Sequence, residues 1–453
     1  MKKLGKIAVL ILVSMLLCVQ GYAISDSDMP DNTHLALLQS FGTHSSGYRS
    51  YTLLDYNTYK KNLVYSRKRI RQILNTLEPY RNTDANLLVA AISQQLADIP
   101  YLHAGAMGEG DWQPTSPVYQ PGAEHVNQNP VYRLDGLNCQ TFVQISMALL
   151  HSRNIAQFDR NILKIAYGAA GNPGGEIVRY YNRNNFTDAD FNPVNQRNGW
   201  MTDVTSQGPL AVYAERMTAR VTRQKWFEYQ KKNLAENVQV LAQPNGRAMV
   251  HRFMTVYSNL NFPKFDSEDI SISYLPKEKI ARKQHDGSFQ PNQELLDKIP
   301  TPAVAEIVRD PGKWNYFRIK IKDIIGTELT ISHLGLLYRQ IFGYGELIYH
   351  KTTCDFNDKN EKVCHVTPVL CQKRQCNELM FAHATDSLPA GYFWYQERNG
   401  HYVCSPKQPR GVRYTSCNRV VALPFFDYLT DYQLGYYSSM DLHSVAGVHI
   451  EKL

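Results

Sequence analysis

Arg133-Leu134-Asp135-Gly136-Leu137-Asn138-Cys139-Gln140-Thr141-Phe142-Val143-Gln144-Ile145-Ser146-Met147-Ala148-Leu149-Leu150 joins a polar turn to an apolar helix, and a cysteine stands at the junction. Arg133 to Gly136 do not suit regular structure, whereas Phe142, Val143, Ile145, Ala148, Leu149 and Leu150 recur at helical spacing from Thr141 onward. Cys139 therefore belongs to the first helical turn. Backbone N–H groups without intrahelical acceptors and the positive end of the helix dipole favour a thiolate there, the nucleophilic form of cysteine. A buried structural cysteine is the plainer alternative.

The other cysteines weigh on that choice. Residues 1–23 read as an export signal: Lys2, Lys3 and Lys6, an apolar run from Ile7 to Val19, then Gly21-Tyr22-Ala23 as a small-residue cleavage site. The run is short for a membrane span, and the mature chain offers no other candidate. Met15-Leu16-Leu17 ahead of Cys18 lacks the small residue expected beside a lipid-modified cysteine. Removal of the signal leaves Cys139, Cys354, Cys364, Cys371, Cys376, Cys404 and Cys417. Six of these crowd into one late segment, which suits three disulfides in an oxidising compartment. Cys139 is the odd one out, and a thiol kept outside disulfides in an exported protein points to use of its reactivity. A structural zinc site among His350, Cys354, Cys364, His365, Cys371, Cys376 and His383 is the competing reading, but the paired C-x-x-C knuckles of common zinc modules are missing. The sequence implies no cofactor and no metal.

About 430 mature residues with 43% hydrophobic side chains suffice for one large domain or two modest ones. The formal charge of +8 becomes +5 without the three signal lysines, a mild excess compatible with an anionic envelope polymer. Arg67-Lys68-Arg69-Ile70-Arg71 is most simply the solvated face of a helix, and nucleic-acid binding is not supported. Residues 24–55 read as a polar leader and residues 56–453 as the folded domain. Helices are predicted near 58–78 and 84–97, the second capped by Thr83 or Asp84. Residues 161–210 mix short strands with loops, and 211–262 read as mostly helical. From about 268 the pattern turns to strands, at 270–274, 315–321 and 329–338. Helices followed by strands predict an α+β domain with a largely antiparallel sheet.

A cysteine nucleophile needs a base. In period-two alternation Leu329, Ile331, His333, Gly335 and Leu337 share one face, predicted to be the side that packs on the nucleophile helix. Gly335 beside His333 removes bulk where another backbone or a substrate approaches.

At this point the chain resembles the NlpC-type, papain-like cell-wall hydrolases, and in particular the exported bacterial family described as N-acetylmuramoyl-L-alanine amidase-like. The matching pieces are Ile99-Pro100-Tyr101, Asn138-Cys139-Gln140-Thr141-Phe142-Val143, Ile331-Ser332-His333-Leu334-Gly335 and Phe381-Ala382-His383-Ala384-Thr385. Tyr181 to Phe186 and Trp200 to Thr205 are similar to that family's insertion after the catalytic helix, and Leu423 to Ile450 to its end. Asn138 stands where an aspartate is usual, Gln140 where a small hydroxyl residue is common, and the 240–310 and 351–376 regions look like insertions. The resemblance implies a papain-like (NlpC-like) core, with the nucleophile helix on an antiparallel sheet. It also implies cleavage of a peptidoglycan amide bond, most simply N-acetylmuramoyl-L-alanine, with peptidoglycan or muropeptides as partners and a periplasmic or secreted location. Cys139 would be the nucleophile, His333 the base, and His383 or else His350 the residue that orients it. The His-Ala-Thr context favours His383. Tyr101 and Arg183 are implied as substrate-binding residues, Arg183 for a carboxylate. A stem-peptide endopeptidase and an inactive wall-binding or host-interacting protein remain as alternatives.

Overall fold

The computed structural model describes residues 56–97, 99–101, 131–134, 136–169, 173–175, 182–229, 265–316, 319–356, 362–385, 393–396, 402–405, 414–416, 419–430 and 444–453. The export signal, the polar leader and Cys417 lie outside them. The first helix, α1, spans Tyr56–Leu77, and α2 spans Ala85–Gln95, where the Asp84 side chain accepts from the Asn86 amide at 2.7 Å. Next come α3 (Cys139–Leu150), α4 (Ile155–Tyr167), a π-helical turn at Thr187–Phe191 and α5 (Asn192–Arg197). The strands β1 (Glu215–Val221), β2 (Glu268–Pro276), β3 (Ala303–Arg309) and β4 (Ile331–Gly343) follow. Beyond them run β5 (Leu347–Phe356), β6 (Lys362–Leu370), β7 (Gln375–Ala384), β8 (Phe393–Gln396), β9 (Tyr402–Ser405), β10 (Tyr414–Ser416) and β11 (Val420–Pro424). Helix α6 (Phe425–Thr430) and strand β12 (Val445–Lys452) complete the order.

The main sheet runs β11-β7-β4-β3-β12-β2-β1, with Thr202–Asp203 adding an eighth strand beside β12, and every pairing is antiparallel. Its two faces carry separate apolar layers. Leu334, Leu336 and Tyr338 of β4 and Met380, Ala382 and Ala384 of β7 pack in one cluster with Phe142, Val143, Ile145 and Leu149 of α3. Leu337, Leu379 and Phe381 pack on the opposite face with Leu295, Phe425 and Tyr428. Each fully buried Phe or Leu contributes roughly 1.5–3 kcal/mol of transfer free energy, so both faces are fixed by burial. The second sheet, β5-β6-β9-β8-β10, is also antiparallel, and Cys371 and Cys376 are joined in a disulfide where the chain leaves it for β7.

The α+β architecture with a largely antiparallel sheet is as the sequence predicts, and several local expectations are corrected. Helix α4 extends to Tyr167, into the stretch read as strands and loops. Residues 215–221 form β1 instead of a helix, because Met217, Ala219 and Val221 lean inward against β2 while their neighbours face solvent. Residues 315–321 split into a small hairpin, Asn315–Tyr316 with Ile319–Lys320, that runs into a helical turn at Ile321–Ile325. The 240–310 stretch, read as an insertion, supplies β2 and the wholly buried strand β3 of the main sheet. The 351–376 stretch forms most of the β5–β6 hairpin, in which Cys354 and Cys364 hold opposite register positions.

Beneath the π-helical turn, the main sheet buries a polar cluster. Glu306 of β3 lies opposite His449 of β12. His449 Nε2 meets Glu451 Oε1 at 2.9 Å, the Asn192 amide donates to Glu306 at 2.8 Å, and the Gln196 amide donates to Glu451 at 2.5 Å. Burial pushes the Glu306 carboxyl up to about 8. Burial lowers the His449 imidazole, but its carboxylate neighbours outweigh this and raise it to about 9. Both groups hold protons more tightly folded than unfolded. Their contribution to stability is therefore complete in mild acid and is lost as pH rises, from about 4.5 through about 8 for Glu306 and from 6.5 through about 9 for His449. Urea unfolding free energy is expected to fall between pH 6 and pH 9, with a shallower fall in Glu306→Gln. A flat or rising profile in the wild-type chain would contradict this account.

Candidate active site

Cys139 is the first residue of α3. Asn138 caps the helix in an extended conformation: its Oδ1 accepts from the Thr141 amide at 2.8 Å, and its own amide donates to Thr141 Oγ1 at 2.9 Å. This reciprocal box satisfies two backbone donors without placing a carboxylate at the helix start. The positive potential of the terminus is thus left for the thiol instead of a capping anion. Cys139 is half-buried and keeps its thiol, whereas Cys371 and Cys376 are oxidised.

Backbone pairing ties this turn to one end of the main sheet. Leu137 donates to the Pro100 carbonyl at 2.9 Å and bridges Tyr101; Pro100 bridges Arg419; Thr385 donates to the Arg419 carbonyl at 3.0 Å. Thr385 lies just past the end of β7, two residues after His383. Since β7 and β4 are antiparallel, the end of β7 is the level at which β4 begins, two residues before His333. Tyr101, the helix start and both histidines therefore gather at one end of the sheet, while the body of α3 lies across β4 and β7.

His333 and His383 are both buried, and His333 Nε2 lies 2.8 Å from His383 Nδ1. The His383 ring stacks on Phe381 at 4.9 Å and 19° and meets the edge of Tyr428 at 4.7 Å, while His333 lies nearly parallel to Tyr428 at 6.1 Å. Gly335 admits this packing, because a Cβ there would stand 2.4 Å from the Phe381 ring and 2.6 Å from the Ala382 carbonyl oxygen. Burial, the neighbouring His383 and the positive charge of Arg309 hold His333 well below its usual value. Burial alone takes His383 down to about 3. The pair is therefore neutral at physiological pH, and one imidazole donates to the other.

The face is a correction. His333 packs with Phe381 and Tyr428 on the α6 side of the sheet, not on the side covered by α3. Ile331, expected beside it, packs in the helix-side cluster. A register slip separates the two: Ile307 opposes His333 but Val308 opposes Ile331, so Ser332 is an extra residue that puts Ile331 on the face opposite His333, Gly335 and Leu337. His350 is not at a strand end but inside β5, exposed, opposite Pro368 in the second sheet. Arg183 is buried and donates to Gln144 Oε1 and Tyr167 Oη, each at 3.0 Å, which ties the segment after α4 to α3. Gln140, directly after the cysteine, donates to the Asn184 carbonyl at 2.6 Å. Arg183 also lines a cavity of about 480 Å³ with Tyr167, Asp190, Arg197 and Arg223. Among the described residues no group of His, Cys, Asp and Glu is arranged to hold a metal ion, and no helix is long and apolar enough to cross a membrane. The roles of Phe381 and Tyr428 were missed from the sequence, although period two places Phe381 on the His383 face.

The family model described as AmiA-like, N-acetylmuramoyl-L-alanine amidase-like, matches residues 118–366, more than half of the chain. The chain belongs to the AmiA-like family. The matched region holds Cys139 and His333, while Tyr101 and His383 fall outside it. Membership indicates a hydrolase of amidase-like type acting on peptidoglycan. A crystal structure of protein LPG0564 from Legionella pneumophila str. Philadelphia 1, assigned to the family model DUF1460, is similar in fold: TM-score 0.52, 20% identity, 87% of this chain and 96% of that chain covered. No curated protein matches the chain.

Gly335→Ala tests the packing behind the histidines. The added methyl must displace the Phe381 ring or the strand, and an overpacked core costs about 1–3 kcal/mol. Urea unfolding should register that loss. Stability within about 0.5 kcal/mol of wild type would mean that Phe381 yields without consequence.

Proposed function

We propose that this chain is an exported cysteine hydrolase that cleaves an amide bond of peptidoglycan, first among them the bond between N-acetylmuramic acid and L-alanine, and that its core is of the papain-like, NlpC-like kind. The observation that carries the reading is the 2.8 Å contact between two buried, neutral imidazoles at the end of the sheet to which backbone pairing also ties the start of the cysteine helix. The export pattern in residues 1–23 supports a periplasmic or secreted location, where peptidoglycan is the accessible substrate.

In this reading Cys139 Sγ attacks the amide carbon, and the carbonyl π pair moves onto oxygen. The thiol proton passes to His333 Nδ1. That role assigns the Nε2–H tautomer to His333, donating to His383 Nδ1, so His383 orients the base without contributing charge. On this reading the Cys139 thiol must reach the imidazole around the strand ends, since α3 and the histidines occupy opposite faces. The Cys139 amide, at the helix start, stabilises the oxyanion, and Tyr101, whose backbone bridges Leu137, lines the site. Collapse breaks the C–N bond as His333 returns its proton to the leaving nitrogen. Water, deprotonated by His333, then cleaves the thioester and restores the thiol. Burial of Arg183 supports a role in holding the wall of the site; a substrate carboxylate would meet it only at the cavity edge.

Mass spectrometry of muropeptides after incubation tests both the activity and the bond. Separation of a lactyl-bearing sugar from an intact L-alanyl peptide identifies the amidase; cleavage within the peptide identifies an endopeptidase of the same mechanism. Cys139→Ala should abolish products, and His333→Ala should lower turnover by about 10²–10⁴. His383→Ala should cost less, and His350→Ala almost nothing. Undiminished cleavage by folded Cys139→Ala would remove the cysteine mechanism.

The depressed His333 value sets the pH dependence. The base is already deprotonated at pH 6.5, so the acidic limb of kcat/KM should lie below that pH. A limb at or above pH 6.5 would show that the reacting base is not this buried imidazole.

A further inference from the structure

The slip at Ser332, directly before His333, is held by a built set of contacts. A bulged residue leaves the ladder and is fixed only by what else it bonds. Here the Arg309 Nε–H donates to Ser332 Oγ at 2.9 Å, and the Ser332 hydroxyl donates to the Ile307 carbonyl at 3.3 Å, across the very pair at which the register shifts. The Arg309 amide donates to the Thr330 carbonyl at 2.7 Å, so one residue grips the strand on both sides of Ile331. Arg309 is itself immobilised: it is 2% exposed, its Nη1 donates to Ser444 Oγ at 2.6 Å, and its guanidinium lies 5.2 Å from the Trp314 ring centre. From the other side, the Thr330 hydroxyl donates to the half-buried Asp188 carboxylate of the π-helical turn.

Burying a guanidinium is costly unless its hydrogen bonds are met; Ser444 anchors one side of Arg309, while its Nε–H and its backbone amide hold Ser332 and Thr330, just before His333. From Leu337 back to His333 the strand alternates regularly against β3, which holds His333 on the face of Gly335 and Leu337; the extra residue lets Ile331 enter on the α3 side, so the bulge fixes the backbone directly before His333. We propose that Arg309 and Ser332 are positioning residues of the active site: they clamp the bulge directly before His333 and so fix the backbone from which its ring meets His383 Nδ1. The proposal rests on the reading of His333 as base for its catalytic meaning, but not for its geometry. The same placement sets a fixed positive charge beside His333, which opposes protonation of the ring.

The test uses the mature full chain with ¹⁵N-labelled histidine and the variants Ser332→Ala, Ser332→Gly, Arg309→Gln and Arg309→Lys. The shared imidazole N–H gives a downfield proton signal that reports the His333–His383 contact whether or not the protein turns over. Arg309→Gln and Ser332→Gly should lose or shift that signal and lower kcat by about tenfold to a hundredfold, with KM within about twofold, because a misplaced base fails in the chemical step. Arg309→Lys should restore part of kcat. Arg309→Gln should also move the acidic limb of the pH profile upward, since removal of a nearby positive charge raises the base's pKa, whereas Arg309→Lys should not. If Arg309→Gln fails to fold, Ser332→Ala, which deletes only a hydroxyl, carries the test through its N–H signal.

Folded variants with the wild-type signal and wild-type kcat would overturn the proposal. A fall in kcat with the signal and the pH limb unchanged would overturn it too. Loss of the signal in a protein whose wild type shows no cysteine-dependent cleavage would leave the clamp standing and remove the amidase reading instead.

Discussion

Two imidazoles buried against each other, with His333 Nε2 2.8 Å from His383 Nδ1, impose the main constraint on this end of the fold. A charged imidazole at this depth would lack the solvation that water provides, so the pair is stable only as neutral rings sharing one proton. Phe381 and Tyr428 exclude solvent from them, Gly335 makes room for Phe381, and helix α6 closes the layer with Phe425 beside Tyr428. A neutral base of this kind suits a mechanism in which the thiol proton moves during attack, instead of one that begins from a standing thiolate–imidazolium pair.

The segment between α4 and β1 is fastened to the sheet by polar bonds as well as by the apolar packing of Phe191, Met201 and Leu210. Gln140 and Gln144 on α3 hold Asn184 and Arg183; Asn192 and Gln196 on α5 reach Glu306 and Glu451 of the central strands. Buried polar networks are costly unless satisfied and are geometrically exacting when they are. Placed this way, they register the segment after α4 against both α3 and the sheet, so the surroundings of Cys139 are set partly by hydrogen-bond geometry.

Much of this was legible. Asn138 followed by a hydroxyl three residues on, ahead of an apolar run, marks the helix start, and the structure places the Asn138–Thr141 box there. His333 and His383 were marked by their motifs, and the structure brings their rings together. That His333, Gly335 and Leu337 share a face was legible; which face α3 covers was not, because Leu334, Leu336 and Tyr338 make the other face equally apolar, and nothing in Ile331-Ser332-His333 announces the bulge that puts Ile331 among them. Strand β3, Ala303–Arg309, was passed over because it is buried on both faces and carries Glu306, so it has no alternation to read. In 211–221 the i, i+4 recurrence of Tyr213, Met217 and Val221 masked the competing alternation of Met217, Ala219 and Val221. Pairing with β2, a long-range partner, decided between them.

The central claim, that His333 accepts the proton of the Cys139 thiol, is tested most directly by the rate at which iodoacetamide alkylates Cys139 in the native, unreduced chain at pH 7. The account predicts labelling at Cys139 without prior reduction or unfolding, about tenfold slower in folded His333→Ala. Equal rates in the two proteins would show that the imidazole does not serve this thiol and would contradict the account.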